Sequence, residues 1–228
     1  MSVLYTACSM RSTHFSSIVA SVAMLALSAC TGANTLSAKY PFPTTLPSGQ
    51  VLDEKYQRLN HDLSPIADYH FRIQIPNGWK TLDAKITQEP QKNSGPSDVA
   101  IFREPGDWMT NPTGAIRGEV SVSAVNVAGI KDSPSDWLLH TLQKNAKGFT
   151  LVQKRESPSA AGPVSDVLIT YLNDDQLLVS RMMAFRSGDR MFVITCSDAA
   201  DGYAKNAQAF NVAISTFRLD SAGKNVTQ

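Results

Sequence analysis

Along this 228-residue chain the apolar positions change rhythm several times, and each rhythm predicts a different element. Phe15 to Leu27 (FSSIVASVAMLAL) is apolar or small throughout, too short for a bilayer span, which takes about 20 apolar residues. From Thr31 to about Gly49 apolar residues are scattered among Thr, Ser, Ala, Asn, Pro and Gly, and Pro41, Pro43 and Pro47 would keep much of this stretch extended. Asp53 to Asp62, with Tyr56 and Leu59 on one side, reads as a short helix. At Tyr69 the period becomes two: Tyr69, Phe71, Ile73 and Ile75 alternate with His70, Arg72 and Gln74, the mark of a half-buried strand. Pro76-Asn77-Gly78 closes it as a turn before Trp79.

Further strands are expected at Lys80–Gln88, at Asp98–Arg103 and at Gly118–Ala128, the last shifting its apolar phase near Ala124 through a bulge or burial on both faces. A helix follows. Ser133 caps it, Pro134 suits its first position, Asp136 completes a variant capping box, and Leu138, Leu142 and Ala146 share a face before Gly148. Then comes a meander over Thr150–Glu156, Asp166–Leu172, Gln176–Phe185 and Met191–Cys196, with turns at Asn173-Asp174-Asp175 and Ser187-Gly188-Asp189. Gln176–Phe185 is apolar on both phases, so it needs cover above and below. A last helix, started by Asp198 or Asp201, carries Tyr203, Ala207, Phe210, Ile214 and Phe217 as one stripe.

The apolar run at the start ends in Leu27-Ser28-Ala29-Cys30, a small-residue cleavage region with a cysteine just after it. This resembles the bacterial lipobox, which implies that residues 1–29 are a signal peptide starting at Met1 or Met10. It also implies an acylated Cys30, with membrane lipid as its first partner. Several acyl chains make a durable anchor where one holds marginally. Thr31 follows the cysteine. In bacteria with an outer membrane that position, when not Asp, implies the periplasmic side of the outer membrane. In a single-membrane bacterium the expected location is the outer face of the plasma membrane. Residues 30–50 then read as a tether, 51–220 as the folded domain and 221–228 as a tail. With Cys8 removed and Cys30 acylated, Cys196 is the one thiol left, so the domain has no internal disulfide to rely on.

Tyr69 to Trp79 (YHFRIQIPNGW) resembles the opening strand and turn of PsbP-like domains, and the helix, meander and final helix match in order. The resemblance implies an α+β fold, a curved antiparallel sheet covered by helices on both faces. It covers roughly Tyr69 to Leu219. Members of that fold group mostly bind larger protein partners, and no metal or partner residue of the group matches a position here.

Charge and chemistry narrow the reading further. A formal net charge of +1 with interspersed signs argues against a nucleic-acid partner. The sequence offers no spacing for a zinc site, no nucleophile elbow and no phosphate loop, so no catalytic residue, metal or cofactor is expected. Cys196, at the end of an apolar strand, reads as a buried small hydrophobe. Trp108 and Met109, in a loop of turn formers, are candidate partner anchors, as are Tyr40 and Phe42 among their prolines, with docking on their own domain as the alternative. The chain is therefore expected to be a non-enzymatic protein-binding accessory of a cell-envelope complex. A secretion or conjugation apparatus is one such complex, although no residue argues for it. The alternative is a carrier or sensor of a small apolar ligand, with Met182, Met183 and Met191 lining a pocket.

Overall fold

The computed structural model describes residues 36–61, 69–82, 97–106, 116–159 and 162–221. The chain divides into two units, Met1–Lys39 and Tyr40–Gln228. Of the first, residues 36–39 are described and form a helical turn. The second holds every element named below, so the folded unit begins at Tyr40 rather than at residue 51. The proline-containing stretch from Tyr40 onward belongs to the domain, for the contacts described in the next subsection.

The larger sheet has seven strands in the order β3-β4-β5-β9-β8-β7-β6. They are β3 (Lys80–Leu82), β4 (Ser97–Arg103), β5 (Glu119–Asn126), β6 (Lys147–Ser159), β7 (Gly162–Asn173), β8 (Gln176–Ser187) and β9 (Arg190–Ala199). Every pairing is antiparallel. The four-strand meander is as the turn residues predict: Asp174 takes φ 51 between β7 and β8, and Gly188 takes φ 59 between β8 and β9. Both values lie in the left-handed region that Gly adopts freely and Asp tolerates. Val120 to Ala124 of β5 are all buried, and β5 runs against β9 without a register shift, so burial on both faces explains its apolar phase change. The irregularity lies in the neighbouring β4, between Asp98 and Ala100. Of the strand expected over Lys80–Gln88, Lys80–Leu82 is observed and the remainder lies outside the described residues.

Helices cover both faces of this sheet. On one face Leu138 of α2 (Pro134–Asn145) packs over Val167, Ile169, Ala184, Met191 and Val193. The cap of α2 is as read: Ser133 Oγ accepts the Asp136 amide at 3.1 Å and donates to Asp136 Oδ2 at 2.7 Å. The alternate residues of β9, among them Ile194 and Cys196, point to the opposite face, where Cys196 Sγ lies 4.0 Å from the Phe210 carbonyl of α3 (Tyr203–Thr216). The whole predicted stripe Tyr203, Ala207, Phe210, Ile214 and Phe217 is buried. Each large apolar member contributes about 1.5–3 kcal/mol. The start of α3 departs from expectation. Gly202 occupies the cap position with no side-chain bond, and Asp198 lies inside β9 because the meander's last strand runs to Ala199.

A second sheet was not foreseen. It has three strands, β1 (Tyr56–His61), β2 (Tyr69–Pro76) and β10 (Arg218–Ser221), with β2 in the middle. The helix expected over residues 53–62 is instead a short α1 (Gly49–Lys55) running directly into β1. Tyr56 and Leu59 are three apart and mimic a helical face, but β2 offers a full ladder of backbone partners from Tyr56↔Pro76 to His61↔Phe71. Satisfying those groups outweighs weak local propensity. Phe71, Ile73 and Ile75 of β2 are 3%, 1% and 0% exposed, as the period-two pattern requires. Phe71 stacks on Phe217 with centroids 5.4 Å apart, and the Gln74 amide donates to Thr216 Oγ1 at 3.0 Å, so α3 is held by both sheets. The fold is α+β and antiparallel, with two sheets where one was expected.

Candidate functional site

Arg181 is the centre of the most densely bonded site among the described residues. It lies mid-strand on β8 and is 2% exposed. Its Nε and Nη2 donate to Asp166 Oδ1 and Oδ2 at 3.0 and 2.8 Å, the two-pronged geometry that a planar guanidinium makes with a carboxylate. Its Nη1 donates to the Pro43 carbonyl at 2.7 Å and to Asn211 Oδ1 at 3.2 Å. The Phe42 ring lies over the same guanidinium at 4.2 Å, and Arg155 of β6 approaches that ring at 4.8 Å, both within cation–π range.

Residues 40–45 form an arm laid over this centre. Tyr40 is 1% exposed and meets Tyr203 edge-on, with centroids 6.1 Å apart. The Thr45 carbonyl accepts from Asn211 Nδ2 at 3.0 Å and Gln208 Nε2 at 3.1 Å. The chemistry follows from the prolines. Pro41 and Pro43 have no amide hydrogen, so the arm offers carbonyls in excess, and the domain answers with side-chain donors from Arg181, Asn211 and Gln208. Asn211, fully buried, faces the arm with its amide nitrogen and Arg181 with its oxygen.

A second polar cluster joins the ends of β4, β5 and β9 to the start of α3. Asn206 Nδ2 donates to Asp198 Oδ2 at 2.8 Å and to Glu104 Oε2 at 3.0 Å, Lys205 pairs with Glu104 at 2.6 Å, and Arg117 pairs with Asp201 at 2.5 Å. Asp198 is 1% exposed, and burial pushes its carboxyl above the ordinary range. Burial acts the same way on Glu104, but Lys205 and Asn206 outweigh it and hold that carboxyl low. A Cβ on Gly202 would come 2.7 Å from Asp198 Oδ1, so a larger residue there would force this carboxylate to shift. Arg103 and Glu119 form a further ion pair across β4 and β5.

The residues singled out from sequence are dispersed. Phe42, half-buried, lies over Arg181, whereas Tyr40 sits in the core against Tyr203. Trp108, Met109 and Cys30 lie outside the described residues. Cys196 is fully buried, and that burial raises its thiol pKa. Met191 and Met182 pack in the apolar cluster under α2. Arg181 and Asp166 went unnoticed because each sits in a strand otherwise read for its apolar residues. The available signal was an arginine in the middle of a strand apolar on both phases, where a charge must find a partner.

No family model matches the chain, and no curated protein matches it. Solved structures do. It is similar to the solution structure of cyanobacterial PsbP (CyanoP) from Synechocystis sp. PCC 6803, at 14% identity and a TM-score of 0.49, over 76% of this chain and 98% of that one. It is also similar to LpqN of Mycobacterium tuberculosis, a protein involved in cell envelope biogenesis, at 15% identity and a TM-score of 0.42, over 78% and 98%. A protein of unknown function from Pseudomonas aeruginosa, PA94, matches at 15% and 0.41, over 71% and 95%. At such identities and TM-scores none of these assigns a function or a partner. Among the described residues no helix is long and apolar enough to cross a membrane.

Proposed function

We propose that this chain is a non-enzymatic protein-binding component of a bacterial cell envelope, held at a membrane through an acylated Cys30 and presenting one folded domain to a larger assembly. The reading is carried by the short distance in sequence between the lipobox Leu27–Cys30 and Tyr40, where the chain is already buried in the domain. An anchor at Cys30 would thus hold the domain close to a bilayer. The buried ionisable groups support the non-enzymatic part. Arg181 and Asp166 are spent on each other and on the arm, and Cys196 is sealed in the core with its thiol pKa raised by burial. The proposed address is the periplasmic side of the outer membrane or, in a single-membrane bacterium, the outer face of the plasma membrane. The proposed partner anchors are Trp108, Met109 and the solvent side of Phe42.

The test has two arms. Cells fed radioactive palmitate should label the chain, and Cys30→Ser should abolish both label and membrane association. Affinity purification in several mild detergents should recover a stoichiometric envelope protein whose yield falls with Trp108→Ala. An unlabelled chain overturns the anchor, and recovery as a free monomer in every detergent overturns the binding role.

A further inference from the structure

The arm over residues 40–45 is a ligand that the chain carries for itself. The groups described above as receiving it, Arg155, Arg181, Tyr203, Gln208 and Asn211, all lie far downstream in the sequence. Every copy of the domain therefore presents the same receiving groups to every copy of the arm. The arm meets them with the Tyr40 and Phe42 rings and with the carbonyls of Pro43 and Thr45. Tyr40-Pro41-Phe42-Pro43 occurs once in the chain, so the partner whose fit is on display is a second copy.

We propose that two copies of this chain exchange arms, each domain receiving residues 40–45 of the other, with their Leu46 side chains meeting between them. Exchange turns on the connector Leu46-Pro47-Ser48, which joins the arm to α1. Leu46 and Ser48 are exposed and Pro47 is half-buried, so straightening the connector uncovers little of the core. Pro47 has no amide hydrogen to give up, and it biases Leu46 towards an extended backbone. At φ −58 and ψ 155, Ser48 is already extended, and its cap on α1 is made to Val51, on the side of the connector that stays in place. The arm makes the same contacts in the closed chain and in the exchanged pair, so the connector and the concentration decide between them. A short connector gives the arm an effective concentration in the millimolar range within its own chain. Leu46 shifts that balance. It is 40% exposed, one of four exposed large hydrophobics among the described residues. In a twofold pair the two connectors pass each other near the axis, where the two Leu46 side chains cover one another. The inference rests on the docked arm and stands or falls whether or not Cys30 is acylated.

The full chain is prepared in a non-ionic detergent with micelles in excess over protein. An isotope-labelled sample is mixed with an unlabelled one carrying the photoreactive substitution Phe42→benzoylphenylalanine, incubated to equilibrium and irradiated. Cross-links from position 42 are then mapped by mass spectrometry. At about 1 µM, far below the effective concentration within one chain, they should fall on β6 and β8 of the same chain. At about 1 mM a substantial share should fall on β6 and β8 of the labelled chain. Deleting Leu46 and Pro47 shortens the connector by roughly 7 Å, so the arm no longer returns to its own domain. That variant should give labelled-chain product at both concentrations alike. Leu46→Asp, at an exposed position, should cut the labelled-chain share several-fold at the higher concentration and leave the melting temperature at the lower one unchanged. Four results would overturn the proposal: cross-links confined to one chain at both concentrations, a shortened chain whose position 42 reaches neither domain, a labelled-chain share that Leu46→Asp leaves unchanged, or cross-links between chains that fall outside β6 and β8. The last would indicate ordinary association with both arms left in place.

Discussion

A buried arginine is expensive unless every prong is used, and Arg181 uses all of them: two on Asp166, one shared between Pro43 and Asn211, and its face on Phe42. Removing one partner of such a pair strands the other charge. Arg181→Ala is therefore expected to lower the unfolding free energy by about 3–5 kcal/mol in urea titrations, and replacing Arg181 and Asp166 together by apolar residues to recover most of it. Asp198 gives a pH-dependent counterpart. Its folded pKa lies above the ordinary 3.8, so folding favours its protonated form. The cost of ionising it is absent below the unfolded value and grows as pH rises towards the folded one. Wild type should thus lose stability relative to Asp198→Asn as pH is raised from about 3.5 to 7, measured as the difference between the two proteins. Glu104 and Asp201, whose carboxyls are held low, contribute in the opposite sense. Sequence reading passed over Arg181 and took Asp198 for a helix start, for one reason. A charged side chain in a strand carries no periodic signal, and its partner arrives from elsewhere in the chain.

Elements whose signal is local were legible. The alternation of β2, the Ser133 cap and the five-residue stripe of α3 each rest on residues within one segment, and each is present. Ser133→Ala removes the acceptor for the Asp136 amide and should cost about 1 kcal/mol, seen as a lower melting temperature with unchanged far-UV circular dichroism. The strands β1 and β10 were not legible. Each is short, and each exists through pairing with β2, which lies far from β10 in sequence. Their own residues, such as Tyr56 and Leu59 at a spacing of three, point towards a helix as readily as a strand. The outer strand β6 shows another device: two register irregularities along its pairing with β7, together with Lys154, Arg155 and Pro158. Bulges, charges and proline are the usual means of keeping an open sheet edge from pairing with a second chain.

For the molecule as a whole, the stretch read as a linker includes an arm that is part of the fold. Scattered aromatics among prolines look solvated in sequence. What changes their status is a set of donors on β8 and α3 placed to receive proline-flanked carbonyls. Tyr40→Ala should loosen the arm by about 3 kcal/mol. Proteolytic cleavage between residues 40 and 48 should then speed up on the order of a hundredfold while the remaining domain stays resistant. With an anchor at Cys30, as proposed, the same contact sets how far the domain can travel. A docked arm leaves about ten residues between bilayer and fold, a reach of at most roughly 35 Å, whereas release as far as Ser48 extends it to roughly 60 Å. The volume searched would grow about fivefold, and the effective concentration of the domain at a site close to the bilayer would fall in proportion. One aromatic residue seated against Tyr203 thereby acts as the length setting of a leash, deciding which neighbours in the envelope are within range.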